Sequence, residues 1–224
     1  MHKWFVYKTF DEASKAAADF IATRIQASIQ KNDICHVILP GGNTPADCLS
    51  HLAKKNLPWN KIHWYPGDER CYPAGHVDRN DVMLEKNLWS HLADTHIHKI
   101  PAELGAEEGA RVYRDVISAV DKFDIAFLGM GEDGHSASLF PENEALDDSR
   151  SVVAVYHSPK APAERVSLSI NTLKNAQCRL VLTAGATMAD ILARIKKGES
   201  LPIKNLGDIN WYVDEAAVND RQEN

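Results

Sequence analysis

The run Cys35-His36-Val37-Ile38-Leu39-Pro40-Gly41-Gly42-Asn43-Thr44-Pro45 decides how this chain is read. Cys35 to Leu39 is a short, mostly apolar run of strand length, as expected for a strand covered on both faces. The Gly41-Gly42 pair then turns the backbone. Pro45 suits the first position of a helix, where a missing N–H costs nothing. Strand, glycine turn and helix in succession form the repeating unit of an α/β sheet.

The same alternation extends in both directions. Upstream, Asp11 to Lys31 reads as a helix, with Ala17, Phe20, Ile21, Ile25 and Ile29 at helical spacing and Asp11 as its N-cap. Downstream, Ile62 to Tyr65 is a strand. Asn80 caps a helix from Asp81 to about His91, and another helix fills Leu104 to Val120. Phe123 to Leu128 is a buried strand, and Val152 to Tyr156 and Arg179 to Thr183 are two more. Ala186 to Lys196 is a helix stopped at Gly198, and Val213 to Val218 reads as a short terminal helix. No repeat, low-complexity tract or linker interrupts the pattern. The expected fold is α/β, a mainly parallel sheet flanked by helices on both faces, in a single domain over residues 1–224.

With 44% hydrophobic and 25% charged residues, the chain has the makings of an ordinary packed core rather than of disorder. A formal net charge of -6 leaves no electrostatic footprint for nucleic acid and no polybasic patch for an anionic membrane. Any anionic ligand must therefore be held by a local site working against the global field. Cys35, Cys48, Cys71 and Cys178 include no C-x-x-C pair, and Cys35 and Cys48 sit in apolar surroundings, which fits a reducing compartment. The first residues contain no long apolar stretch and no run is long enough to span a bilayer, so the cytoplasm is the expected location. Nothing in the chain demands an oligomer.

In parallel α/β sheets, ligands bind beyond the carboxyl ends of the strands, which directs attention to the loops after Leu39, Tyr65, Leu128 and Thr183, the first three of which carry unusual residues. Pro40 to Pro45 combines close backbone approach at Gly41 and Gly42 with the unpaired N–H groups of a helix start, the ingredients of an anion site. Thr44 can cap the helix or donate its hydroxyl. The same residues also suit a tight turn with no ligand. Asp68-Glu69-Arg70 follows the second strand; Arg70 is a fork donor to phosphate or sugar oxygens, and Asp68 and Glu69 can bind hydroxyls or orient Arg70. A solvated turn is the plain alternative.

The third loop is Gly129-Met130-Gly131-Glu132-Asp133-Gly134-His135-Ser136-Ala137-Ser138-Leu139-Phe140-Pro141. Its glycines imply a tightly folded backbone, and a histidine beside an aspartate is a common general-base arrangement. Among the ten histidines, His135 alone lies in such a loop. His96-x-His98 offers two metal ligands without a third, an incomplete site. The fourth segment, Ser158 to Arg165, places Lys160 and Arg165 in a proline-stiffened loop that suits either a phosphate or plain solvent.

Taken together, these segments resemble the 6-phosphogluconolactonase family. The resemblance rests on PGGNTP at Pro40, on the DER triplet followed by His76 and Asn80, and on GMGEDGHSASLFP. It extends through SPKAPAERVSLSINTL to the terminal WYVDEAA. It implies a Rossmann-like sheet and hydrolysis of 6-phospho-D-glucono-1,5-lactone to 6-phosphogluconate, a step of the oxidative pentose phosphate pathway. It also implies roles residue by residue. Gly41, Gly42, Asn43 and Thr44 would cradle phosphate or nearby oxygens, with Asp68, Gly131 and Lys160 as further substrate contacts. Arg70 and Arg165 would supply positive charge. His135 would be the general base, oriented by Asp133. No metal and no cofactor are implied, and the partner is a small phosphorylated lactone.

The related aminosugar-phosphate isomerase/deaminases share the glycine loop and the D-G-H core, but their string then runs to a ring-opening glutamate. Here it runs Ser136-Ala137-Ser138-Leu139-Phe140-Pro141. Two positions depart from the lactonase pattern. Gly185-Ala186-Thr187-Met188 carries methionine where the family has a phosphate-reaching lysine, and Arg79 stands where a serine often precedes the asparagine. Arg79 would add positive charge or point outward. Two alternatives stay open: an aminosugar-phosphate isomerase/deaminase, and a sugar-phosphate sensor without catalysis.

Overall fold

The computed structural model describes residues 2–218 of the 224-residue chain. The elements follow one another as β1 (Lys3–Tyr7), α1 (Phe10–Asn32), β2 (Cys35–Leu39), α2 (Ala46–Ala53), β3 (Ile62–Pro66), β4 (Asp68–Arg70), α3 (Asn80–Asn87), β5 (His96–Ile97) and α4 (Ala106–Ile117). There follow β6 (Ile125–Leu128), β7 (Val152–Val155), β8 (Arg165–Leu168), α5 (Ile170–Lys174), β9 (Cys178–Thr183), α6 (Ala189–Lys196), β10 (Asn210–Asp214) and α7 (Glu215–Val218).

Seven strands form one sheet in the order β1-β10-β9-β6-β2-β3-β5, and every pairing in it is parallel. Alternate residues of each central strand serve opposite cores. Val37, Leu39, Trp64, Phe127 and Leu180 pack under α1, α2 and α3. Ile38, Tyr65, Ala126, Leu128 and Val181 pack with α4, α5, α6 and α7. This two-sided burial explains why the strands read as apolar runs. From β2 the chain moves outward through β3 to β5, then returns to lay β6 against the other side of β2 and continues to β9 and β10. The β2/β6 boundary is therefore a topological switch point, where a crevice opens at the carboxyl ends of the strands.

Several sequence expectations are corrected. The N-cap of α1 is Thr9, not Asp11: its side chain accepts from Glu12 N at 3.2 Å, and Glu12 reaches back to the Thr9 N–H in a capping box. Asp11 lies within the first turn. Asn80 is not the cap of α3 but lies within its first turn; Glu69 serves that end by accepting from Asn80 N and Asp81 N, each at 2.8 Å. α2 begins at Ala46, and its start carries no side-chain cap from Thr44. The terminal helix is present but starts two residues later than Val213, since Val213 and Asp214 belong to β10. Trp211-Tyr212-Val213, aromatic and β-branched, continues β10 beside β1, leaving only Glu215–Val218 as helix.

Val152–Val155 does not join the main sheet. It forms a second, antiparallel sheet, β4-β8-β7, which lies against α4. Arg79 neither points outward nor adds charge to the crevice. It is 2% exposed, donates to both Asp81 oxygens at 3.0 Å and to Glu103 Oε2 at 2.9 Å, and also donates to the Tyr72 and Ile100 carbonyls. It ties the β4–α3 connection to the segment ahead of α4.

Candidate active site

At the switch point a cleft of about 210 Å³ opens between the loops after β2 and β6 and the edge of the small sheet. Gly41, Gly42, Thr44, Asp68, Arg70, Gly131, His135, Lys160 and Arg165 all line it. Four separate loops thus converge because each follows or flanks a strand ending at the same level of the fold.

The tightest constraint surrounds His135. The backbone from Gly131 to His135 closes on itself, with Gly131 N donating to His135 O at 2.9 Å and Gly134 N donating to Gly131 O at 2.9 Å. Gly134 holds a φ of +80°, which favours glycine. Asp133 Oδ1 accepts from His135 N at 3.1 Å and lies 2.5 Å from His135 Nδ1. A carboxylate only accepts, so Nδ1 carries a hydrogen toward Asp133, and in the neutral form of the ring the lone pair falls on Nε2. Burial pushes the Asp133 carboxyl up, but the charge and hydrogen bonds of His135 outweigh it and hold Asp133 below the usual carboxylate range. The ring also packs on Phe140, with centroids 4.5 Å apart.

Gly131 proves to matter for space. A Cβ on it would fall 2.1 Å from His135 Cε1 and 2.2 Å from Nδ1, and its N–H is already spent on the His135 carbonyl. Gly131→Ala is therefore expected to push the imidazole aside and lower kcat by roughly 10²-fold, the scale of an ångström-level misplacement. Steady-state kinetics alongside thermal melting would separate this from unfolding.

The small sheet supplies the charges. β4 and β8 pair Asp68 with Ser167 and Arg70 with Arg165. Side chains alternate along a strand, so these four share one face while Glu69 turns to the other. That is why Glu69 caps α3 and does not line the cleft. Two arginines directly opposite each other repel, and an anion between them relieves the repulsion. Burial lowers the proton affinity of Arg165; Asp68 opposes that effect and Arg70 adds to it, with a net lowering. Arg165 is anchored by the Lys160 and Ala161 carbonyls at 2.9 and 3.1 Å and lies over the Phe140 ring at 5.6 Å. Arg70 donates to the Asp78 carbonyl. Lys160 is exposed at the rim and forms no ion pair among the described residues. Asp68, by contrast, is held by Ser138 Oγ at 2.6 Å and Asn80 Nδ2 at 3.2 Å.

Asn43 does not line the cleft. It is exposed, and its carbonyl accepts from Ala46 N at 3.1 Å. Asp133 stands behind the His135 ring. Met188, at the position of the family lysine, is buried in the hydrophobic core with Ile191 and Leu192, so no cation reaches the cleft from there. Sequence reasoning gave no part in the site to Asn80, which it read as a helix cap, nor to Ser138 and Phe140. Each fell inside a motif string, but only the fold shows its partner.

The geometry agrees with kinship. The family described as glucosamine-6-phosphate isomerases/6-phosphogluconolactonase matches residues 8–210. The chain belongs to this family. Within it, the chain is 32% identical over 220 residues to a 6-phosphogluconolactonase of Thermotoga maritima, covering 95% of this chain and 99% of that protein. It is 34% identical over 222 residues to the GDH/6PGL endoplasmic bifunctional protein of Oryctolagus cuniculus, covering 90% of this chain but only 28% of that longer protein. A crystal structure of the Thermotoga maritima 6-phosphogluconolactonase superposes with a TM-score of 0.89 at 27% identity, covering 96% of this chain and 100% of that one. A monomeric glucosamine-6-phosphate deaminase shares the fold at a TM-score of 0.84 and 19% identity. Among the described residues, no helix is long and apolar enough to cross a membrane.

Proposed function

We propose that this chain hydrolyses 6-phospho-D-glucono-1,5-lactone to 6-phosphogluconate, with His135 as general base. The observation that carries the reading is the Asp133–His135 pair, its ring lining a cleft that also holds Arg70, Lys160 and Arg165. These three cations against the single carboxylate of Asp68 make a locally positive site in a chain of net charge -6. That balance suits a dianionic phosphate ester.

In the proposed reaction the phosphate lies among the three cations, and the lactone carbonyl lies near His135. Nε2 takes a proton from water as the water oxygen bonds to the carbonyl carbon. Asp133 stabilises the imidazolium that forms. The N–H groups of Gly41 and Gly42, which bond to no acceptor among the described residues, serve the developing oxyanion. The C1–ring oxygen bond then breaks, and the proton on His135 passes to the departing oxygen. A lactone is an activated ester, so no covalent nucleophile is needed. The step belongs to the oxidative pentose phosphate pathway, and the domain acts on a small soluble ligand.

The deaminase reading would need a carboxylic acid at the ring oxygen. Among the described residues Asp68 is the one carboxylate lining the cleft, and it is already bound to Ser138 and Asn80. Parallel assays decide between the two: lactone disappearance above the spontaneous rate supports the proposal, and ammonia release from glucosamine 6-phosphate without it supports the deaminase.

Lys160→Ala is expected to raise KM by roughly 3- to 10-fold and to leave kcat nearly unchanged. An exposed cation contributes a charge-assisted contact weakened by solvent. The KM effect should shrink as salt is added, which a salt series would check.

A further inference from the structure

We infer that Asn80 is a specificity-determining residue: its side-chain carbonyl is a fixed hydrogen-bond acceptor that reads one hydroxyl of the sugar. The inference rests on the lactonase reading and extends it to substrate recognition. Asn80 is 3% exposed and lines the cleft. Its Nδ2 donates to Asp68 O at 2.9 Å and to Asp68 Oδ1 at 3.2 Å. Asp68 offers only acceptors at those atoms, so the NH₂ end of the amide must face it. The amide cannot flip, and Oδ1 is held on the opposite side.

Over the face of the amide the backbone has been cleared. A Cβ on Gly41 would fall 2.0 Å from Asn80 Oδ1 and 2.2 Å from Cγ. The amide therefore stacks directly on the glycine turn. No protein donor reaches Oδ1 among the described residues. Nor is the oxygen sealed in. Among the described residues, the buried side-chain atoms without a partner are Ser14 Oγ, Arg70 Nε, Trp89 Nε1 and Trp211 Nε1, and Asn80 Oδ1 is not one of them. Oδ1 thus keeps its contact with the cleft.

A nine-tenths buried side chain that presents one accessible, unpaired acceptor selects a ligand donor. Phosphate and carboxylate oxygens offer none at neutral pH, whereas a sugar hydroxyl does. The residue works at the end of α3, and its backbone N–H is bound separately by Glu69, so truncating the side chain leaves the helix end capped.

The test is calorimetric binding of 6-phosphogluconate and of its 2-, 3- and 4-deoxy analogues to the wild type and to Asn80→Ala, with melting curves for both. We expect Asn80→Ala to weaken 6-phosphogluconate binding roughly 10-fold, the worth of one hydrogen bond made to a fixed group. One deoxy analogue should bind both proteins equally. Asn80→Asp should be worse than alanine, because its carboxylate faces Asp68. An unchanged affinity in Asn80→Ala, or an equal loss for every analogue, overturns the assignment while leaving the lactonase reading standing. A wild type that neither binds 6-phosphogluconate nor opens the lactone overturns both. If Asn80→Ala does not fold, Asn80→Ser takes its place under the same criteria.

Discussion

Replacing His135 with alanine is expected to lower kcat by roughly 10²- to 10⁴-fold, the range for a positioned general base, while KM and the melting temperature change little. The separation follows from the geometry. The ring sits in the cleft wall, held by Asp133 at 2.5 Å and by the Phe140 face, whereas the binding cations stand on the small sheet and on the loop between β7 and β8. His135→Gln should not rescue the rate, since an amide of similar size accepts no proton. Asp133→Asn should show a smaller loss, because the ring stays in place but the imidazolium loses its counter-charge. Stopped assays of the lactone at saturating substrate measure kcat directly. A His135→Ala rate within a few-fold of wild type would remove His135 from the proposed chemistry.

The second large effect is on stability. Arg79→Met should destabilise the protein by about 3–5 kcal/mol, the cost of stripping one partner from a buried ion cluster, against a total stability on the order of 5–15 kcal/mol. Arg79 is the cation facing Asp81, Glu103 and, at 3.9 Å, Glu69. The loss should depend on pH. Burial, only partly offset by three backbone N–H donors, pushes the Glu69 carboxyl up to about 7. A carboxyl raised above its unfolded value favours folding while protonated, and that contribution is lost as pH rises through the folded value. Without Arg79 the Glu69 carboxyl rises further, so the variant should suffer more at about pH 8 than at about pH 5.5. Urea melts of both proteins at the two pH values test this, and an equal penalty at both would separate Glu69 from the cluster.

Much of the fold was legible because burial writes itself into composition. Cys35–Leu39 and Phe123–Leu128 stand between two helical layers, so they had to be apolar throughout, and the glycine loops after them had to be where the strands end. β1 was invisible because Lys3-Trp4-Phe5-Val6-Tyr7 is an edge strand whose partner β10 comes from the far end of the chain, and the last two residues of β10 looked like the start of a helix. The cleft residues were legible as motif strings. Their relations were not: that Arg70 faces Arg165 depends on pairing between distant segments, and no local pattern announces it. Arg79 shows the same limit from the other side. It read as a cation that either adds charge to the site or points outward, and only its tertiary partners Glu103 and Asp81 make it a buried tie. The methionine at position 188 raised the question of a missing phosphate contact; in the fold it packs in the core, while the cleft draws its charge from Lys160, Arg70 and Arg165.

The most direct test generates 6-phosphogluconolactone in place from glucose 6-phosphate and follows its disappearance with wild-type protein, with His135→Ala and with no protein. Opening by the wild type well above the spontaneous background, reduced to near background by His135→Ala, is the result expected. A wild-type rate indistinguishable from spontaneous opening would contradict the assignment of this cleft as a lactonase site.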